Sequence, residues 1–151
     1  MRITNRRKLS GLFLVLATLL TGCVQKPVVF KTLDGETYTF DEFEGQWVVV
    51  NYWAIWCGPC RKEIPELNEL NHRDDVVVIG VDWDASPVDK TAEYAQAMGI
   101  EFTTSIDDPA GFLGQDKPNL LPTTFIINPE GKVINVLKGG QTFESIVDNF
   151  Q

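Results

Sequence analysis

The chain has 151 residues, 44% of them apolar, with 13 basic and 21 acidic side chains and a formal charge of −8. That length suits one domain of ordinary globular composition, large enough to bury roughly two-thirds of its unfolded surface. The acidic excess argues against nucleic acid and against an anionic lipid surface as partners, and no basic patch with interleaved aromatics, internal repeat or low-complexity tract offsets it.

Residues 1–22 stand apart from the rest. Arg2, Arg6, Arg7 and Lys8 make a basic start, and Leu9 to Leu20 is an apolar run interrupted by Ser10, Gly11 and Thr18. Such a run falls short of the roughly 20 residues that span a bilayer, and its layout is that of an export signal. Leu20-Thr21-Gly22-Cys23 resembles a bacterial lipoprotein processing site. The resemblance implies cleavage before Cys23, diacylglycerol on its sulfur and a lipidated tether over 23–27. An ordinary signal peptide with an incidental cysteine, or an uncleaved anchor, is the plainer alternative. Two or three acyl chains hold a protein firmly where one binds marginally. Val24 after the cysteine, rather than an aspartate, favours the outer over the inner membrane, with the domain facing the periplasm. Without the four basic residues of the leader, nine remain against 21 acidic, a charge of −12.

The folded domain is expected over 28–151. Val28 to Leu33, a turn at Asp34-Gly35, and Thr37 to Phe40 read as a hairpin. Glu44-Gly45-Gln46 then turns into an apolar, β-branched and aromatic run from Trp47 to Trp53, the pattern of a buried strand. It breaks into Cys57-Gly58-Pro59-Cys60, after which Ile64, Leu67 and Leu70 recur at helical spacing. This helix extends to about Arg73, with Pro65 bending it. Val76 to Val81 reads as a second buried strand. Asp82, Trp83 and Asp84 follow at its C-terminal end, where open α/β sheets keep their sites. Two carboxylates there are a thin metal site, and a solvated strand end is the commoner meaning. Ser86-Pro87 opens a helix to about Met98, stopped by Gly99. Beyond it come a strand over Glu101 to Ile106, a short helix over Asp108 to Gly114 and a loop over Gln115 to Leu121. Strands over Thr123 to Asn128 and Val133 to Leu137 flank a turn at Pro129 to Lys132. A last helix covers Thr142 to Phe150. The order predicts an α/β fold with a central mixed sheet, helices on both faces and an N-terminal β-hairpin.

A strand that delivers two cysteines to the first turn of a helix makes a chemical site. Unpaired N–H groups and the positive end of the helix dipole favour an anion there, and the thiolate is the nucleophilic form of cysteine. Two intervening residues let one helical turn bring both sulfurs together. A zinc half-site and a structural disulfide are the bland alternatives. Zinc needs four ligands, and Cys23 and His72 are the only other cysteine and histidine. So short a loop also constrains the unfolded chain weakly. His72, alone and late in its helix, reads as a solvated capping residue.

Trp56-Cys57-Gly58-Pro59-Cys60, Lys62-Glu63-Ile64-Pro65 and Leu121-Pro122-Thr123-Thr124-Phe125 together resemble the thioredoxin-like superfamily, in its TlpA/ResA-type membrane-anchored branch. The resemblance covers about residues 28–151. It implies that Cys57, at the exposed mouth of the helix, attacks and that Cys60 resolves the mixed disulfide. It implies a cis Pro122 facing them; a trans proline opening an edge strand is the alternative. Trp56, Gly58, Pro59, Leu121 and Thr123 would bind clients, and Trp83 would line their groove. Cytoplasmic thioredoxins carry an acid six positions before the first cysteine, where this chain has Asn51. Glu63 is instead the acid of the ResA-like branch, on the side of its helix that carries Cys60. Half-buried, it would hold a raised pKa and take the Cys60 proton; exposed, it would pair with Lys62 or Arg61. Residues Gln115 to Leu120 depart from the family pattern. The resemblance implies an oxidoreductase that reduces client disulfides in cytochrome c maturation or envelope thiol repair. It would be a monomer re-reduced by a membrane donor of thioredoxin-reducing type, with no cofactor besides the redox-active Cys57–Cys60 disulfide and no metal. A disulfide-donating oxidase, or a non-catalytic metal-chaperone or client-binding module, is the alternative. A peroxidase of related fold fits less well, since its reactive cysteine normally lacks this partner.

Overall fold

In the computed structural model, which describes residues 29–151, the chain runs β1 (Val29–Lys31), β2 (Thr37–Thr39), a 3-10 helix (Phe40–Phe43), β3 (Trp47–Trp53), α1 (Gly58–Leu70), β4 (Val76–Asp82), α2 (Val88–Met98), β5 (Thr103–Ser105), β6 (Thr123–Ile127), β7 (Val133–Lys138) and α3 (Phe143–Val147). The expected leader over 1–22, the lipidation of Cys23 and the 23–27 tether lie outside the described residues. Five strands form a mixed sheet in the order β5-β4-β3-β6-β7. β3, β4 and β5 are parallel, whereas β6 runs antiparallel to β3 and β7 antiparallel to β6. The hairpin β1-β2 is a separate antiparallel pair, tied to the sheet by a bridge between Thr32 and Ser105.

Alternation along β3 divides the core in two, because successive strand side chains point to opposite faces. Val49 and Trp53 join Ile64, Leu67 and Leu70 of α1, Ala95 and Met98 of α2 and Ile146 of α3. Val48, Val50 and Tyr52 join Phe30, Ile79, Ala110 and Phe125 on the other side. Every residue from Val48 to Trp53 is buried, which is why the run is apolar at every position but Asn51. Both faces carry helical segments, but unequally. Crossovers β3-α1-β4 and β4-α2-β5 step the same way along the sheet, so right-handedness puts both helices on one side. The other side is closed by the hairpin, by Phe40 and Phe43 of the 3-10 helix, and by the turns around Ala110.

Three expectations need correction. No helix forms over Asp108 to Gly114. Phe112 and Leu113 both donate to the Pro109 carbonyl, but the turns do not propagate past Gly111 and a left-handed Gly114 at φ 66°. The Asp108 carboxylate instead accepts from the Tyr52 hydroxyl at 2.7 Å and the Ala110 N–H at 3.0 Å. Phe40 leaves the hairpin strand to open the 3-10 helix, where the Glu42 carboxylate accepts the Thr39 N–H at 2.6 Å. The last helix ends at Val147, and Phe150 beyond it stacks on Trp47 with ring centroids 4.5 Å apart.

Candidate active site

Cys57 is the N-cap residue of α1 and Cys60 lies in its first turn, and the two form a disulfide. The Cys60 N–H donates to Cys57 Sγ at 3.2 Å, so a sulfur occupies the place a capping oxygen usually takes. Negative charge on that sulfur would meet an otherwise unpaired helix N–H and the positive end of the dipole. Pro59 sits in the first turn, where its missing N–H leaves nothing unsatisfied. The mouth position expected of Cys57 is present, but its exposure is only 3%, and Cys60 is fully buried. The open surface belongs to Trp56, 63% exposed, and to Gly58 and Pro59.

The facing wall comes from the start of β6. The Leu121–Pro122 peptide is cis. Thr123 pairs with Tyr52, so Pro122 stands beside the end of β3 from which the cysteine loop departs. Leu121 is partly buried, and the buried Thr123 hydroxyl donates to the Leu120 carbonyl at 2.8 Å. The Pro122 carbonyl accepts the Gly139 N–H at 2.9 Å. Two residues on, the Gln141 N–H donates to Glu63 Oε2 at 3.0 Å. One strap, Gly139 to Gln141, therefore touches both the proline wall and the helix acid.

Glu63 is fully buried rather than half-buried, at 1% exposure. Its Oε1 accepts from Asn51 Nδ2 at 2.8 Å. Burial pushes its carboxyl up to about 7, while the hydrogen bonds from Gln141 and Asn51 pull the other way. The pairing with Arg61 does not occur, since that guanidinium donates to the Ile55 carbonyl at 3.0 Å. Asn51, singled out in the sequence for the acid it replaces, thus belongs to the same cluster as Glu63. The Gln141 contact carried no signal in the sequence, because it uses backbone.

A second group borders the disulfide. Trp56 Nε1 donates to Asp84 Oδ2 at 2.8 Å, and its ring meets Trp83 edge to face, 6.4 Å between centroids. Trp83 Nε1 donates to the Pro118 carbonyl at 2.6 Å, and Lys117 Nζ lies 5.0 Å from the centre of its ring. This pins the Gln115 to Leu121 loop against the end of β4, above a cleft of about 270 Å³ that includes Lys117, Thr123, Phe125 and Lys138. Asp82, weighed as a metal ligand, accepts from the Asp84 and Ser86 N–H groups and the Thr91 hydroxyl, closing the turn into α2.

Residues 24–136 match the AhpC/TSA family. The thiol-disulfide oxidoreductase ResA of Bacillus thuringiensis is 31% identical over 121 residues, covering 78% of this chain and 69% of the relative. Among solved structures, StoA from Bacillus subtilis shares 22% identity with a TM-score of 0.65, over 86% of this chain and all of its own. A DsbF homologue from Corynebacterium diphtheriae shares 22% with a TM-score of 0.68, over 82% of each chain. At those identities the solved structures speak for the fold.

Proposed function

Because the chain belongs to the AhpC/TSA family and is, like its ResA relatives, a thiol–disulfide oxidoreductase, we propose that it reduces the disulfides of client proteins outside the cytoplasm. One observation carries the proposal: the Cys57–Cys60 disulfide opens a helix whose N–H points at the Cys57 sulfur.

In the reduced enzyme the Cys57 thiolate attacks one client sulfur. The client S–S bond breaks as the Cys57–client bond forms, and the first client thiolate leaves. Cys60 then gives its proton to Glu63 and attacks Cys57 Sγ, expelling the second client thiolate and closing the enzyme disulfide. The client has gained two electrons, and a membrane-bound dithiol donor of thioredoxin-reducing type restores them. Nothing in the cycle requires a cofactor or metal. Trp56, the Gly58-Pro59 turn and the Leu121 to Thr123 segment form the client-binding edge.

The leader over 1–22, lipidated Cys23 and a 23–27 tether would hold a monomeric domain over 28–151 to the envelope, facing the periplasm, with the outer membrane favoured over the inner. The clients would be apocytochrome c disulfides in maturation, or oxidised envelope proteins under thiol repair.

Insulin reduction in the presence of dithiothreitol tests the reading. The wild type should accelerate it and Cys57→Ser should not; equal activity in the two refutes the mechanism. Cys60→Ser should trap mixed disulfides with envelope proteins. A reduction potential near thioredoxin's, about −270 mV, supports a reductant, whereas one near DsbA's, about −120 mV, reassigns the protein to disulfide donation.

A further inference from the structure

Asn51 is a fully buried polar side chain at the centre of β3. Its Nδ2 donates at 2.8 Å to Glu63 Oε1 and at 3.0 Å to Thr124 Oγ1, while its Oδ1 has no partner. A buried acceptor left unpaired calls for an explanation. A half-turn of the amide exchanges donor for acceptor within the same volume. With Glu63 ionised, Nδ2 is the correct group to face it. With Glu63 protonated, the proton belongs on Oε1, because the Gln141 N–H already occupies Oε2 and can only donate. Nδ2 would then oppose an O–H, whereas Oδ1, after the half-turn, accepts both that O–H and the Thr124 hydroxyl.

We propose that Asn51 is a positioning residue for proton handling, its amide turning over as Glu63 gains and loses the proton of Cys60. This rests on the reading of Glu63 as the acceptor of that proton. Asn51 faces Glu63 from β3 and the Gln141 N–H faces it from the segment before α3. On α1 itself Cys60 precedes it by one turn, and Glu66, held by the Phe143 N–H at 3.0 Å, follows. The ion pairs among the described residues, His72–Glu69, Arg73–Asp75 and Lys90–Glu93, do not include it.

The test follows the reduced, isotope-labelled protein by NMR from about pH 4 to pH 9, a range that brackets a buried carboxyl. The Asn51 side-chain amide signals should move with the same midpoint as the Glu63 carboxyl carbon. In Asn51→Leu that midpoint should rise by about half a unit or more, since a charge-assisted bond to the carboxylate is stronger than its neutral counterpart. The pH profile of cysteine alkylation should shift with it. Asn51 signals that stay fixed through the Glu63 titration, in a protein that still reduces insulin, overturn the proposal. The wild-type titration decides this even if Asn51→Leu does not fold. A wild type inert towards insulin overturns the oxidoreductase reading, and this inference with it.

Discussion

Replacing Glu63 by glutamine separates the effect of a buried acid from that of its shape. The carboxyl titrates near 4.5 in the unfolded chain and at about 7 in the folded protein, chiefly because burial penalises the charged form. Each unit is worth about 1.4 kcal/mol, so the gap amounts to about 3 kcal/mol. At 1% exposure, solvent screening offers little discount. The folded state holds this proton more tightly than the unfolded chain. Its stabilising contribution is therefore complete below pH 4.5, declines as pH rises and is gone above about pH 7. Urea unfolding of the oxidised protein and of Glu63→Gln across that range measures it. The wild-type stability minus that of the variant should fall by about 3 kcal/mol from acid to alkaline pH. Glutamine sets an NH2 group against either Asn51 Nδ2 or the Gln141 N–H, but that offset does not vary with pH. Surface carboxylates titrate alike in both proteins and cancel. A difference that stays flat with pH would mean that Glu63 is solvated in the folded state, and the proton-transfer step would lose its physical basis.

Other substitutions probe the frame around the site. A Cβ at Gly80 would lie 2.8 Å from Trp53 Nε1 and 2.9 Å from the Phe102 ring. Gly80→Ala should therefore cost about 1–3 kcal/mol in urea unfolding, and a neutral result would show that the β3–β4 layer is loosely packed. Trp56→Ala, at an exposed position, should leave stability within about 0.5 kcal/mol of the wild type. It should raise KM for insulin more than it lowers kcat; an unchanged KM would remove Trp56 from the client surface. Thr142 caps α3 through the Ser145 N–H at 3.2 Å, so Thr142→Ala should lose about 1 kcal/mol in thermal or urea unfolding. No loss would show that the helix is held by packing alone.

Periodicity exposed the strands around the site because burial on both faces leaves little choice of residue. Val48 to Trp53, Asn51 apart, and Val76 to Val81 hold no polar side chain, and the Cys57 to Cys60 spacing marked the start of α1. The helix expected over Asp108 to Gly114 failed for a reason visible only in three dimensions: Asp108 is needed by Tyr52 across the sheet. Glu63 was legible from its spacing to Cys60, but its depth was not, because β3 and the strap before α3 bury it from outside its own helix. Trp83 was seen as a possible groove residue. Its bond to the Pro118 carbonyl joins residues 35 apart through a backbone group that any side chain could present, so no local pattern announces it.

Sealing the disulfide beneath the first turn of α1 bears on the traffic of electrons. A small diffusing thiol meets the indole of Trp56 and the Gly58-Pro59 turn before it meets sulfur, and 3% of Cys57 leaves it almost no line of approach. Small thiols, dithiothreitol among them, should therefore reduce the oxidised protein more slowly than a protein donor does. Charge should pass quickly only from a macromolecule broad enough to press on that rim and displace it, so fidelity in this circuit is a matter of shielding as well as voltage.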